Sequence, residues 1–236
     1  MKKLYQFLGF IVSLFIVGGV SYGAIDPYTD KGNFLEIKNQ SVIPQGGEIK
    51  TDLAKTEPAI TFSKWNSEVA MKVTSLDISP TTQGERALLS DTMKWKDGAK
   101  EVWAYPLAKV AGMEDGGFEL SIILNSKPAT NVFSFAISGA ENLIFYYQPA
   151  LDADQIARGD TRPDNVVGSY AVYYSKRDHI NGQTNYATGK AYHIYRPKVT
   201  DANSSWVWAD LSYSNGVLSI TVPQSFLDSA VYPITI

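Results

Sequence analysis

The sequence predicts an all-β fold: an antiparallel β-sandwich, jelly-roll-like or built of two packed sandwich subdomains, with one short connector helix. Three observations carry this. Apolar residues recur with a period of two, as in Val69, Met71 and Val73 or Phe118, Leu120, Ile122 and Leu124, which is how a half-buried strand sorts its side chains. Turn chemistry such as Asp97-Gly98, Asn181-Gly182, Thr188-Gly189 and Asn215-Gly216 separates short runs at the spacing of sandwich strands. Aromatic residues make up 12% of the chain, with 14 Tyr and 5 Trp, a composition suited to pleated surfaces. No alternating βαβ pattern, fixed-period repeat or low-complexity linker is present.

The chain has 236 residues, enough for one large core or two small ones. Met1 to Gly23 has the three parts of a secretory signal: a basic start at Lys2-Lys3, an apolar run from Phe7 to Val20, and small Ser21 and Gly23 before a cut at Ala24. The run is shorter than the roughly 20 residues of a membrane span, so cleavage rather than retention as an anchor is expected. The predicted organisation is a signal peptide over 1–23, an extended lead-in lying on the domain over 24–57, and a β-sandwich domain over 58–236 with a subdomain division near 149–163. Removing Lys2 and Lys3 from the 21 basic residues leaves 19 against 24 acidic ones, a net of −5. That balance argues against nucleic acid or an anionic membrane as partner, since both need a basic footprint. With no cysteine, a secreted or surface-located chain must rely on its core rather than on disulfides.

The lead-in is broken by Asp26-Pro27, Lys31-Gly32, Gly46-Gly47 and Glu57-Pro58, leaving room for short strands such as Phe34 to Ile37. A two-residue turn at Asp97-Gly98 pairs Lys94 with Glu101 and Met93 with Val102, putting Met93, Val102 and Ala104 on one face and Lys94, Glu101, Trp103 and Tyr105 on the other. Val132 to Ile137 and Leu143 to Tyr147 read as strands, the second so apolar that it is expected to be central or buried on both faces. Asp152 to Arg158 is the expected helix, with Asp152 and Gln155 as a capping box and Gly159 at its end. Gly168 to Pro197 reads as a long aromatic hairpin. Asn215-Gly216 is the strongest turn signal of all and pairs Tyr213 with Leu218, Leu211 with Ile220 and Ala209 with Val222, an apolar face. Trp206, Trp208 and Asp210 then lie on the opposite one.

Phe145-Tyr146-Tyr147-Gln148-Pro149, Arg162-Pro163-Asp164-Asn165-Val166-Val167-Gly168-Ser169-Tyr170, the Gly189 to Pro197 arm and the closing Tyr232-Pro233-Ile234-Thr235-Ile236 together resemble the N-terminal β module of large exported bacterial or phage-associated surface proteins. The resemblance spans about residues 60 to 236. It implies an exported location, a sandwich architecture and a chain continuing past Ile236 into a lectin-like or repeat domain. It carries no catalytic or binding residues with it.

The candidate ligand residues are Trp206, Trp208 and Asp210, with Trp103 and Tyr105 as a second aromatic pair. A flat pair of tryptophans beside a carboxylate suits a sugar ring, while covered aromatics on a sheet are ordinary core. Asp152, Asp154, Asp160 and Asp164 form an acidic run that could hold calcium, although their spacing is not that of an EF-hand and Asp152 is accounted for as a cap. No other cofactor motif is present. For His179 and His193 the sequence identifies no partners of a zinc site or a hydrolase triad, and no Gly-x-Ser-x-Gly, His-Glu-x-x-His or phosphate loop occurs. Glu68, Glu119 and Asp210 could serve a glycosidase only if two of them face each other across a cleft. Asn39-Gln40-Ser41 and Asn203-Ser204-Ser205 match the glycosylation pattern, a match that chance supplies at this length.

Three functions remain open from sequence. The first is a non-enzymatic exported structural or adhesive module, forming part of a larger surface protein and meeting its other domains. The second is a carbohydrate-binding module that takes a surface polysaccharide on Trp206 and Trp208. The third is a polysaccharide-active enzyme with paired carboxylates.

Overall fold

The computed structural model describes residues 28–30, 34–37, 50–65, 67–86, 92–107, 117–176, 180–181, 184–185 and 189–236. The expected signal peptide over 1–23, His179 and Asn39 lie outside these residues. Among the described residues no helix is long and apolar enough to cross a membrane.

In chain order the elements are β1 (Tyr28–Asp30), β2 (Phe34–Ile37), β3 (Lys50–Ala54), β4 (Ala59–Lys64), β5 (Val69–Ser75), β6 (Gly84–Arg86), β7 (Met93–Asp97), β8 (Lys100–Leu107), β9 (Gly117–Leu124), β10 (Val132–Ser138) and β11 (Leu143–Gln148). Helix α1 (Ala153–Ala157) follows, then β12 (Ser169–Tyr174), β13 (Ile180–Asn181), β14 (Thr184–Asn185), β15 (Lys190–Ile194), β16 (Lys198–Thr200), β17 (Trp206–Trp208), β18 (Asp210–Ser214), β19 (Val217–Thr221), α2 (Gln224–Ser229) and β20 (Ile234–Thr235). The fold is all-β and antiparallel, as the alternation predicts. An eight-stranded sheet runs β1-β2-β3-β4-β5-β10-β19-β18, a seven-stranded sheet runs β17-β16-β20-β9-β8-β7-β6, and a three-stranded sheet runs β11-β12-β15, with β13-β14 a separate ribbon. The lead-in strands β1 to β3 are hydrogen-bonded into the edge of the eight-stranded sheet.

One face of the eight-stranded sheet carries Ile60, Met71, Val73, Phe133, Phe135, Leu211, Leu218 and Ile220, all buried. The other two large sheets both cover that face. Phe62 makes an edge contact with Phe118 of the seven-stranded sheet at 5.9 Å between centroids and a tilted one with Tyr192 of the three-stranded sheet at 6.3 Å. Phe145 stacks on Tyr213 at 3.8 Å. A single contiguous cluster of buried side chains therefore draws on all three sheets, which is a sandwich with one shared core.

Both derived hairpins have the expected faces, and one has a different register. Asn215 (φ 50°) and Gly216 (φ 77°) both take positive φ, the geometry of a tight two-residue turn, and Tyr213–Leu218 and Leu211–Ile220 pair as read from the sequence. The expected Ala209–Val222 pair does not form, because the ladder begins at Asp210–Thr221 and the Ala209 and Val222 N–H groups go to the Pro197 and Asn131 carbonyls. In the other hairpin only Gly98 has positive φ, so the turn centres on Gly98-Ala99 and pairs Asp97 with Lys100, Trp95 with Val102 and Met93 with Ala104. Each strand slips by one residue in opposite senses, so every side chain keeps its face. Trp95, on the Met93 face in either register, is fully buried opposite Gly84.

Three expectations are corrected. β11 is an edge strand, not a central one, with Ile144, Tyr146 and Tyr147 exposed. An unbroken apolar run marks a strand but not its position in a sheet. A second short helix, α2, exists; it starts after Pro223 and buries only Leu227, too little periodicity to read in advance. The stretch containing Trp206, Trp208 and Asp210 is two strands in different sheets, because the chain crosses layers at Ala209. That residue is fully buried and donates its N–H to the Pro197 carbonyl at 3.0 Å.

Gly84 is where side-chain volume is least tolerated in the seven-stranded sheet, since a Cβ there would sit 2.6 Å from Trp95 Nε1 and 2.9 Å from Met93 Sδ. Gly84→Ala is expected to lower the unfolding free energy by about 1–3 kcal/mol, the usual cost of overpacking, measured by urea denaturation. A substitution at exposed Lys96 should leave it within about 0.5 kcal/mol.

Candidate functional site

The outward tryptophans share one surface. Cross-strand partners on the seven-stranded sheet run Trp206–Thr200–Thr235–Ile123–Glu101–Lys96, and directly paired residues project from the same face. Alternation adds Trp208 and Lys198 at one end and Ser121, Trp103, Lys94, Tyr105 and Glu119 at the other. The opposite face, with Val199, Ile234, Leu124, Ile122, Val102, Ala104 and Trp95, is the buried one. All four aromatics expected to point outward do so, on a single sheet. Four strand spacings of about 4.8 Å put the two groups roughly 19 Å apart.

The two groups differ in what already satisfies them. At the far end, Trp103 donates its indole N–H to Glu101 Oε2 at 2.8 Å, and Lys94 Nζ stands 3.7 Å over its ring. Glu101 also takes Asn125 Nδ2 at 3.1 Å and Lys96 Nζ at 3.2 Å. Burial pushes its carboxyl up, but the hydrogen bonds from Trp103, Lys96 and Asn125 outweigh this and hold it below the usual value. Tyr105 hydroxyl meets Ser121 Oγ at 3.2 Å, Ser121 donates to Glu119 at 3.3 Å, and burial raises the Tyr105 phenol. The polar groups of this end are turned on one another.

The near end is open. Trp206 is 52% exposed. Its ring meets that of Trp208 edge-on, 5.5 Å between centroids and 79° between planes. The expected flat pair is thus a right-angled corner, an arrangement that ring quadrupoles favour. Lys198 Nζ lies 4.8 Å from the Trp206 ring centre and the Arg196 guanidinium 5.5 Å from that of Trp208. Arg196 also donates to the Ala209 carbonyl at 3.3 Å and pairs with Asp210 at 3.7 Å. Asp210 therefore reaches the tryptophans only through Arg196, from the other layer.

What positions the corner is Asp201, in the turn between β16 and β17. Its side chain is buried; Oδ1 accepts the Asn203 N–H at 2.9 Å and the Ser205 N–H at 2.8 Å, while Oδ2 accepts the Val231 N–H at 3.1 Å. Ser204 takes φ 66° to close the turn. Asn203, of the glycosylation-like triplet, is exposed in this turn.

The remaining candidates stand apart. Asp152 accepts the Gln155 N–H at 2.8 Å while Gln155 Oε1 accepts the Asp152 N–H at 2.9 Å, the expected capping box. Asp160 pairs with Arg158 at 3.7 Å, and Asp154 and Asp164 are exposed. Among the described residues no three Asp, Glu, His or Cys side chains converge as cation ligands, so Asp152, Asp154 and Asp160 do not assemble a calcium site there. Glu119 is on the outer face of the seven-stranded sheet. Glu68 accepts the Tyr174 hydroxyl at 2.8 Å just before β5, while Asp210 belongs to a row that meets β10 at Val132, the opposite end from Ser138 and Lys72. Glu68 and Asp210 are therefore at opposite ends of the eight-stranded sheet, while Glu119 belongs to the seven-stranded one.

His193 Nε2 and Ser169 Oγ are 2.8 Å apart, and the ring lies 4.4 Å from that of Tyr195. Its Nδ1 is buried without a partner among the described residues. Burial, and then Lys190, lower its pKa to about 4.

Sequence reading missed Lys198, Thr200 and Thr235, whose nearness to Trp206 comes from pairing across the chain. It also missed an exposed apolar strip on the three-stranded sheet, formed by Ile144 opposite Tyr173, Tyr146 at 5.6 Å from Tyr173, and Tyr195. In the hairpin arms, Tyr alternating with Ala and Val was the available signal. Compared with known proteins, the chain matches no protein-family model, no curated protein and no solved structure.

Asp201→Ala is expected to destabilise the fold by about 3 kcal/mol, because three backbone N–H groups lose their acceptor, with the exposed Trp206 indole shifting its fluorescence; urea unfolding followed by emission reads both. The folded pKa of His193 lies below the ordinary 6.5, so its contribution to stability is full above pH 6.5 and declines as pH falls towards about 4. Denaturant midpoints at pH 7 and pH 4.5 should fall further for the native chain than for His193→Gln.

Proposed function

We propose that this chain is a non-enzymatic adhesive module of an exported surface protein and that it holds a glycan at the corner made by Trp206 and Trp208. The half-exposed Trp206, standing edge-on to Trp208 with hydroxyl-bearing Thr200 and Thr235 beside it in the same row, is the observation that supports the ligand. An apolar ring face rimmed by polar groups is what a sugar, with its own apolar faces and hydroxyl edges, requires. The leader-like first 23 residues and the resemblance of the Tyr232 to Ile236 strand to exported surface modules support the location.

A second contact is favoured by the strip of Ile144, Tyr146, Tyr173 and Tyr195. An exposed apolar face of this kind suits packing against a neighbouring domain of the same surface protein.

Trp206→Ala should weaken glycan binding about tenfold, as loss of one aromatic platform implies, without changing the far-ultraviolet circular dichroism. A glycan array followed by titration of the hits measures this. A folded sample that binds no glycan on the array removes the reading.

A further inference from the structure

The corner at Trp206 is rich in donors and holds no carboxylate of its own. Lys198 is exposed, sits directly across from Trp208 and leans over the Trp206 ring. Among the described residues its ammonium meets that ring and no carboxylate. Thr200 and Thr235 face each other one step along, and neither hydroxyl, nor the indole N–H of Trp206 or Trp208, is engaged by a described residue. At the other end of the sheet the equivalent positions are closed: Glu101 takes the Trp103 indole and Lys96 together.

The nearby acids are already committed. Asp201 has both oxygens occupied by backbone N–H groups, and Asp210 faces Arg196. Along the row from Trp206, the first acid on the outer face is Glu101, four strands and roughly 19 Å away, beyond the screening length of about 8 Å at physiological salt. Asp201 is buried and turned to the backbone and Arg196 is paired with Asp210, so among the described residues the exposed charge without a charged partner at the corner is Lys198, on a chain whose formal charge is −3 overall. A neutral sugar would leave this cation without a counter-charge. A ring bearing an anionic group can stack on Trp206 while the group meets the ammonium in a charge-assisted hydrogen bond.

We infer that the sugar held at this corner is anionic, carrying a carboxylate or a sulfate, and that Lys198 selects it; this rests on the glycan-binding reading of the same site. Trp206 supplies the stacking surface, Lys198 the charge, and Thr200 and Thr235 hydrogen bonds to ring hydroxyls. Arg196 is not the selecting cation, because Asp210 and the Ala209 carbonyl already hold it.

The test uses two matched pairs of polymers at low salt: polygalacturonate against the same polymer with its carboxylates reduced to alcohols, and dextran sulfate against dextran. Titration calorimetry should show at least one acidic member binding about tenfold more tightly than its neutral twin. Which pair shows the difference tells carboxylate from sulfate. Lys198→Gln, a surface change that leaves the circular dichroism spectrum unaltered, should abolish the preference, and Trp206→Ala should weaken binding of the preferred polymer about tenfold. Equal affinity for acidic and neutral twins, an acid preference that survives Lys198→Gln, or no binding to any of the four polymers overturns the inference. So does acidic binding that is undiminished in Trp206→Ala, since that is diffuse attraction to charge. If neutral glycans on the array still bind through Trp206, the glycan reading stands and only the anionic preference fails; a blank array removes both.

Discussion

The seven-stranded sheet is continuous only because a two-residue strand is wedged into its middle. β20 pairs with β16 through Thr200–Thr235 and with β9 through Ile234–Leu124 and Thr235–Ile123. Two further bonds between Ile236 and Ile122, at 3.0 and 2.9 Å, extend that junction. Remove these few bonds and the sheet becomes two pieces, one bearing Trp206, Trp208 and Lys198 and the other Trp103 and Tyr105. Ile234 is fully buried, so the backbone pairing is backed by an anchor in the core.

Asp201 extends the same constraint to the turn. Its carboxylate ties the β16–β17 hairpin to Val231, three residues ahead of β20, and Ala202 donates to the Val231 carbonyl at 2.9 Å. A buried carboxylate is costly unless its lone pairs are filled, and here three backbone N–H groups fill them. Arg196 performs a comparable service at the layer crossing. It touches Trp208 of one sheet, the carbonyl of Ala209 at the crossing and Asp210 of the other, so the ligand corner is braced against both layers.

Much of this architecture was legible from two-residue alternation, because alternation decides which face a side chain takes regardless of register. The Gly98 hairpin makes the point: its turn lies one residue beyond the expected place, yet Met93, Val102 and Ala104 face inward and Trp103 and Tyr105 outward. The Asn215-Gly216 turn was readable to the residue because both positions adopt positive φ. Strand position within a sheet was not readable, as β11 shows, since Leu-Ile-Phe-Tyr-Tyr is equally apolar at an edge and at a centre. Nor was the crossing at Ala209, where the strand pattern runs on unbroken while the backbone changes layers. At the candidate site the tryptophans were visible as an alternating pair, whereas Lys198 and Thr235 become neighbours of the corner only through pairings that link segments distant in the chain.

The central place of β20 also has a consequence for assembly. The β16–β17 hairpin precedes Ile234 to Ile236 in the chain, yet among the described residues its one neighbour within the sheet is that later segment. The hairpin must therefore wait, with one edge unsatisfied and Asp201 short of one donor, until the closing strand arrives. Docking of that strand is a long-range event, and the tryptophan corner can take its finished shape only when it is complete.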